Sequence, residues 1–385
     1  MQAIVLASAE QSGDALDKQI DAVAKLSPTW VVMYGVEDSP FDRVRSQLLS
    51  RCPELPLFGA TSFRGVFTAS GFIRKVCLLV GEPNDGVKIA VSLQQCRASL
   101  AKERAQKACQ ELETRLGVRP SRLVLHATPG FEERILEGVA SAFGKSVPVF
   151  GGSATDDRST GRWSVFAKSG AVKEGFVLAG VVSARDVQGA FMGGFLPTEH
   201  TGTVTKVEGR VIHEIDGHPA ADVYNAWTGG GISSELLSGG SIVSKTNLRP
   251  LSRSVGAAHG MERRILAHPH EVLLPTRSMS FYTEFTRAEP VTLMTSTVDP
   301  LIGRVARTVE RARGARARTP YGGLFVYCAG SLSTMLEHAD RICKEYALAL
   351  GGAPFLGIAT AGEQGAFFSN AESWHGNLMC STLLF

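Results

Sequence analysis

Three stretches of the chain are written to one pattern. Residues 56–80 read PLFGATSFRGVFTASGFIRKVCLLV, residues 148–182 contain PVFGGSATDDRSTGRW and then EGFVLAGVV, and residues 354–385 read PFLGIATAGEQGAFFSNAESWHGNLMCSTLLF. Each is Pro, two apolar residues, Gly, small and hydroxylated residues, then a closing apolar strand. An internal repeat constrains a fold more than local propensity does, because every copy must bury the same face in the same way. The upstream context recurs as well: an apolar strand at 30–34, 123–127 and 323–328 leads into a turn and an amphipathic segment. In the second copy Phe131, Ile135, Val139 and Phe143 fall four apart, on one face of a helix that must cover a sheet. The unit is therefore strand, helix, then a meander of short strands. Gly59, Gly151 and Gly357 mark the places where the chain turns sharply or lets another backbone approach.

A fourth, degenerate copy is expected at about 220–296, where DVYNAW precedes RPLSRSVG and the strand-like RRILAH, MSFYTEF and VTLMTST. Before it, TGTVTKVEGRVIHEIDGHPAADVY reads as a hairpin, with Glu208-Gly209 and Asp216-Gly217 as turns and Pro219 opening a helix. The Gly-rich, pattern-poor stretch RDVQGAFMGGFLPTEHTG then places a boundary near 186–200, giving domains 1–194 and 195–385. The expected fold class is α+β: repeated strand-helix-meander units forming mixed sheets flanked by helices, in two pseudo-symmetric domains. A length of 385 residues suits two such domains.

Composition narrows the function classes. With 44% hydrophobic and 20% charged residues the chain is expected to be globular, and a net charge of +3 gives no overall field to draw in nucleic acid or membrane. Apolar runs such as 76–80 and 176–182 fall far short of the roughly 18 residues of a membrane span. The N-terminal MQAIVLASAEQSGD lacks the preceding Lys or Arg of a signal peptide, so a cytoplasmic location is expected. The seven cysteines form no C-x-x-C, so reduced core thiols are expected rather than a metal knuckle or covalent haem.

The series 56–62, the GGSATDD of 151–157, the 204–224 hairpin with IDGHPA at 215–220, and Ala361-Gly362-Glu363 together resemble the FIST N and FIST C pair, over roughly residues 28–385. That resemblance implies a non-enzymatic sensory module for small ligands. It is similar to stand-alone FIST proteins that bind haem b, sense nitric oxide and act on a partner histidine kinase; an oligomer is left open.

A non-covalent haem would be anchored by a neutral imidazole in an apolar pocket. His268-Pro269-His270 joins RRILA to EVLLP, and Phe281, Tyr282 and Phe285 follow as walls for a porphyrin. His270 is the first choice of axial ligand and His268 the second, with His259 in VGAAHGM as an axial or distal position and Met261 or Met279 as a sixth ligand. The plain alternative is a turn carrying two ordinary histidines. His213 reads as a half-buried strand residue, and His126 and His375 end or close core strands.

A second hypothesis is a haem-free sensor of an amino acid or other small metabolite, with Gly151, Gly152, Ser153, Asp156, Asp157, Gly362 and Glu363 in the pocket wall. A third is a hydrolase or metal-dependent enzyme using Asp156, Asp157 and Glu363; against it, Asp beside Gly, Ser and Thr usually makes Asx turns, and GGSATDD lacks the second Gly of a nucleophile elbow. TGGG at 228–231 and SGG at 238–240 lack a P-loop or Rossmann fingerprint and read as loops. The segment 301–318 reads as an amphipathic helix with a solvated face of Arg304, Arg307, Arg311, Arg313, Arg316 and Arg318, suited also to an acidic partner or to haem propionates.

Overall fold

In the computed structural model, which describes residues 1–6, 13–258, 261–314, 319–368 and 371–385, the three repeats build three six-stranded sheets of one topology. The first runs Gln2–Val5, Cys77–Gly81, Trp30–Gly35, Leu57–Thr61, Val165–Ala167, Gly170–Val172. The second runs Val87–Gln95, Gly175–Ser183, Arg122–Ala127, Val149–Gly152, Glu363–Ala366, Ser373–Gly376. The third runs Gln188–Met192, Cys380–Leu384, Gly323–Cys328, Phe355–Thr360, Val66–Thr68, Gly71–Ile73. Each sheet thus carries an edge strand, the closing strand, the apolar strand and the Pro-x-x-Gly strand of one copy. Its last two strands are lent by another: the first copy's hairpin completes the third sheet, the second's the first, and the third's the second. The exchange is cyclic, so no copy folds apart from the others.

The repeated glycine is what lets the parallel pairs close. Gly59, Gly151 and Gly357 lie opposite Met33, Leu125 and Phe325 in the parallel ladders. A Cβ on Gly59 would lie 1.8 Å from the Met33 carbonyl oxygen, and one on Gly151 would lie 1.9 Å from that of Leu125. In these two copies the close approach expected from the sequence is a backbone contact that no side chain tolerates; at Gly357 a Cβ would instead meet the Phe325 side chain at 2.7 Å.

Inner faces of the three sheets share one core, with Trp30, Tyr34, Phe58, Val124, Phe150, Val326 and Ile358 all buried. Two helices cover the outer face of each: Gly13–Lys25 with Phe41–Arg51, Ala101–Leu116 with Glu132–Phe143, and Val298–Arg313 with Ala339–Ala349. Phe131, Ile135, Val139 and Phe143 are buried as their spacing predicts, and each such side chain contributes about 1.5–3 kcal/mol. The fold is the α+β arrangement of mixed sheets flanked by helices that the repeats imply. All seven cysteines are free thiols, and no described helix is long and apolar enough to cross a membrane.

Two expectations are corrected. The stretch read as a fourth copy lies within a nine-stranded sheet spanning Leu196 to Thr295 with its own core, including Ile212, Ile215, Tyr224, Met279 and Leu293. It is inserted between the third copy's edge strand and its first helix, where the other two copies have short connections. The position that holds glycine in the true copies is Arg253 here, and the strand Leu251–Ala258 pairs antiparallel on both sides. The second correction concerns Arg304, which belongs to the buried face of its helix and not to the solvated one. It donates to the Gly193 and Leu378 carbonyls and lies 4.4 Å over the Tyr327 ring. Arg316 and Arg318 lie outside the described residues.

Candidate functional site

Ligands of α/β sheets gather outside the carboxyl ends of the parallel strands. In the second sheet those ends are Ala127 and Gly152, and the inserted sheet lies against them. Glu132 and Glu133 open the helix that follows the first of these strands, as first-turn acids commonly do. From the inserted sheet, Arg210 reaches both carboxylates, at 2.6 Å to Glu132 and 2.5 Å to Glu133. Glu133 also accepts from the Thr283 hydroxyl at 3.2 Å and the Glu284 N–H at 2.9 Å. The Ser153 hydroxyl donates to Glu132 at 2.6 Å. His375 completes the seam: its Nε2 is 3.1 Å from the Tyr282 carbonyl and its Nδ1 is 3.1 Å from the Gln364 amide. In the neutral tautomer the ring therefore donates to Tyr282 and accepts from Gln364.

Burial pushes the Glu132 carboxyl upward, but His375 when charged, Arg210 and the Ser153 hydroxyl outweigh it and hold the group at about 2. Glu133 is held low in the same way: burial opposes, and His375 and Arg210 prevail. The acidic and imidazole atoms of Glu132, Glu133 and His375 all lie within 4.8 Å of one another, a spacing compatible with a metal ion. Arg210, however, already occupies the point between the carboxylates. The cluster acts as an ionic clamp between the helix Glu132–Phe143 and the inserted sheet.

Beside the clamp opens a cleft of about 580 Å³. Leu136, Val139 and Trp374 give it an apolar wall, and its rim carries Glu133, Glu284 and Arg253 beside the ion pairs Lys102–Glu137 and Lys145–Glu372. Arg253 is only 11% exposed, pairs with Glu289 at 3.5 Å, and keeps a buried Nε without a hydrogen-bond partner among the described residues. An unpaired buried donor of this kind is destabilising by about 1–3 kcal/mol and favours any acceptor that reaches it.

The residues singled out in sequence fall in several places. Ser153 hydrogen-bonds with both Glu132 and Gln364 behind the cleft, and Gly151 and Gly152 pair with Gln364 and Glu363 in the second sheet. A Cβ on Gly362 would lie 2.5 Å from the His375 ring. Asp156 is an Asx-type loop cap: it accepts backbone N–H groups of Arg158, Thr160 and Arg162. Asp157 pairs with Arg74 at 2.5 Å. Glu363 is wholly buried, accepting from the Thr360 hydroxyl at 2.9 Å and the Met379 N–H at 2.8 Å. No hydrogen bond joins these three acids among the described residues.

Burial raises Glu363 to about 8, so it is mainly protonated at neutral pH. Its contribution to stability is complete below the unfolded value near 4.5 and fades as pH rises through about 8. Glu363→Gln is expected to flatten that decline; melting temperatures at pH 5 and 8.5 for both proteins check it, and an equal decline in both would count against it.

His268 and His270 lie apart from the cleft. The His268 ring is buried, with Nε2 3.2 Å from the Val243 carbonyl. Its other nitrogen packs so close to Gly330 that a Cβ there would lie 3.2 Å away. Burial lowers this histidine to about 4. His270 is half-buried, with Nδ1 3.2 Å from the Ser280 hydroxyl and its ring 4.7 Å from that of Tyr282. Neither ring lines this cleft or the cavity of about 290 Å³ beside Gly193 and Gly194. Phe281 faces the other way, 4.9 Å from Phe285 in the core of the inserted sheet, where Met279 also lies. His259 lies outside the described residues. His126 is buried between the Tyr34 hydroxyl at 2.8 Å and the Gly152 carbonyl at 3.0 Å.

Sequence reasoning passed over Glu132, Glu133, Arg210, Arg253, Gln364 and Trp374. The only local signal was the pair of adjacent acids at a helix start, which is ordinary. What makes them a site is the inserted sheet, whose placement no spacing discloses.

The FIST N domain model matches residues 29–218 and the FIST C domain model residues 220–366. Uncharacterized protein MJ1623 of Methanocaldococcus jannaschii is 38% identical over 80 residues, which span 20% of this chain and 15% of that protein. FIST domains mark small-ligand sensing in signal transduction.

Proposed function

Since this chain belongs to the FIST family, with its N and C domains in order, we propose that it is a sensor of an apolar α-amino acid, held in the cleft between the helix Glu132–Phe143 and the inserted sheet. The observation that carries this reading is the pairing of opposite charges across one apolar wall. A ligand carboxylate meets Arg253 and its unpaired Nε, an ammonium meets Glu284 and Glu133, and an apolar side chain lies on Trp374, Leu136 and Val139. Such a ligand touches both sides of the seam at once. It therefore favours the arrangement in which the two sides are closed, and the inserted sheet transmits that preference to a signalling partner, for which the resemblance suggests a histidine kinase. No turnover is involved.

The test is a thermal-shift panel of L-leucine, L-phenylalanine and L-tryptophan beside the matching amines and desamino acids. A ligand at a hundred times its Kd adds about 2.7 kcal/mol of stability. At least one amino acid is expected to raise the melting temperature saturably, and its amine and desamino forms are not. Arg253→Gln is expected to weaken binding about tenfold or more. A panel with no response would sink the reading. A haemin titration giving a saturable Soret band lost in His270→Ala would replace it with the haem and nitric-oxide sensor.

A further inference from the structure

A second cavity, of about 290 Å³, lies where the chain leaves the third sheet for the inserted one. Gly193 and Gly194 form its floor, and Phe191, Phe195, Leu266 and Phe367 contribute apolar walls. Its charges are lopsided. Arg264 is neutralised by Glu262 at 2.6 Å, but Arg263 and Arg311 have no acidic partner among the described residues. Both guanidinium groups instead converge on one ring, at 5.8 Å and 5.2 Å from the centre of Phe368. The Arg263 Nε is buried with no hydrogen-bond partner among the described residues. Two cations drawn to one ring repel each other, and a single ring offsets little of that. An anion shared between them removes the repulsion and satisfies the unpaired donor.

The geometry points to a binding site for a small carboxylate carrying an apolar, ring-sized body, bridging Arg263 of the inserted sheet and Arg311 of the helix Val298–Arg313. A carboxylate matches the planar guanidinium fork, and the apolar walls select against a bare inorganic anion. The volume sits at the small end of ligand pockets, which suits one ring and not a cofactor. Because the two arginines belong to different layers, the bound anion ties the inserted sheet to the third sheet at its exit. Behind the floor, Arg304 donates to the Gly193 carbonyl and its Cδ lies 2.7 Å from where a Cβ of Gly194 would be. The site is thus built against a fixed support, it shares no lining residue with the amino-acid cleft, and it stands whether or not that cleft binds an amino acid.

The probe is benzoate, titrated calorimetrically into the full chain, with acetate and inorganic phosphate as comparators. Saturable benzoate binding is expected in the wild type, with acetate and phosphate at least about tenfold weaker. Arg311→Gln is expected to weaken benzoate about tenfold or more, and Arg311→Lys, which keeps the charge and loses the fork, by less. Arg253→Gln is expected to leave benzoate affinity unchanged, which separates this site from the cleft. No saturable benzoate binding would overturn the proposal, as would phosphate binding as tightly as benzoate, or affinity lost in Arg253→Gln and kept in Arg311→Gln.

Discussion

Gly151→Ala is expected to destabilise the protein by about 3 kcal/mol or more, placing it among the severe single substitutions. Gly151 has a φ of +154° and no room for a Cβ, which would lie 1.9 Å from the Leu125 carbonyl oxygen. Relief requires the parallel strands Arg122–Ala127 and Val149–Gly152 to move apart. That movement would also disturb the lent strand Glu363–Ala366, which pairs with the second of them. Gly117→Ala is the matched control: its φ is +74°, but nothing lies within 4 Å of the added atom. There only the backbone preference is lost, about 1 kcal/mol. Chemical denaturation of both variants decides the matter. Equal losses would mean that Gly151 serves turn geometry alone, not the close backbone approach seen there and at Gly59.

The second large effect is at Arg210. Arg210→Met is expected to cost about 3–5 kcal/mol, because it leaves the buried Glu132 carboxylate, 2% exposed, without its partner. By contrast, breaking the half-exposed Arg134–Glu284 pair is expected to cost under about 1 kcal/mol. The clamp also predicts a pH dependence. Glu132 sits at about 2 in the folded protein against 4.5 unfolded, so its stabilising contribution is complete above 4.5 and is lost as pH falls towards 2. Without Arg210 the folded value rises and the midpoint of acid unfolding moves to higher pH. A midpoint unchanged in Arg210→Met would show that the clamp does not carry the acid sensitivity.

Much of the scaffold is legible in the repeats, because periodicity and a conspicuous glycine are local properties. The spacing of Phe131, Ile135, Val139 and Phe143 gave the helix, and Pro-x-x-Gly gave the place where another backbone comes close, though not that the strand there pairs in parallel. The cyclic exchange of hairpins was not legible. Val165–Ala167 carries the same apolar signature whether it pairs within its own copy or with Leu57–Thr61 of another. The inserted sheet misled for a related reason: RPLS imitates the start of a repeat, and only Arg253 in the glycine position betrays it. Ser153 and Gly362 drew attention because they follow the repeated turn, and they lie behind the cleft, against Glu132 and His375. Arg210 and Arg253 drew none, since each acts across a distance in sequence that no motif spans. His268 and His270 drew attention as a pair of imidazoles, yet the pairing register shifts between Pro269 and Glu271, and the first ring is buried against the Val243 carbonyl while the second turns to the Ser280 hydroxyl.

An amino acid that closes the seam between the helix Glu132–Phe143 and the inserted sheet, as proposed, must slow backbone exchange on both sides of it. Hydrogen–deuterium exchange of the wild type with and without saturating L-phenylalanine tests it most directly. Slower exchange is expected in Glu132–Phe143, Leu251–Ala258 and Ser373–Gly376 together, with the effect lost in Arg253→Gln. Unchanged exchange, or protection confined to segments away from these three, would contradict it.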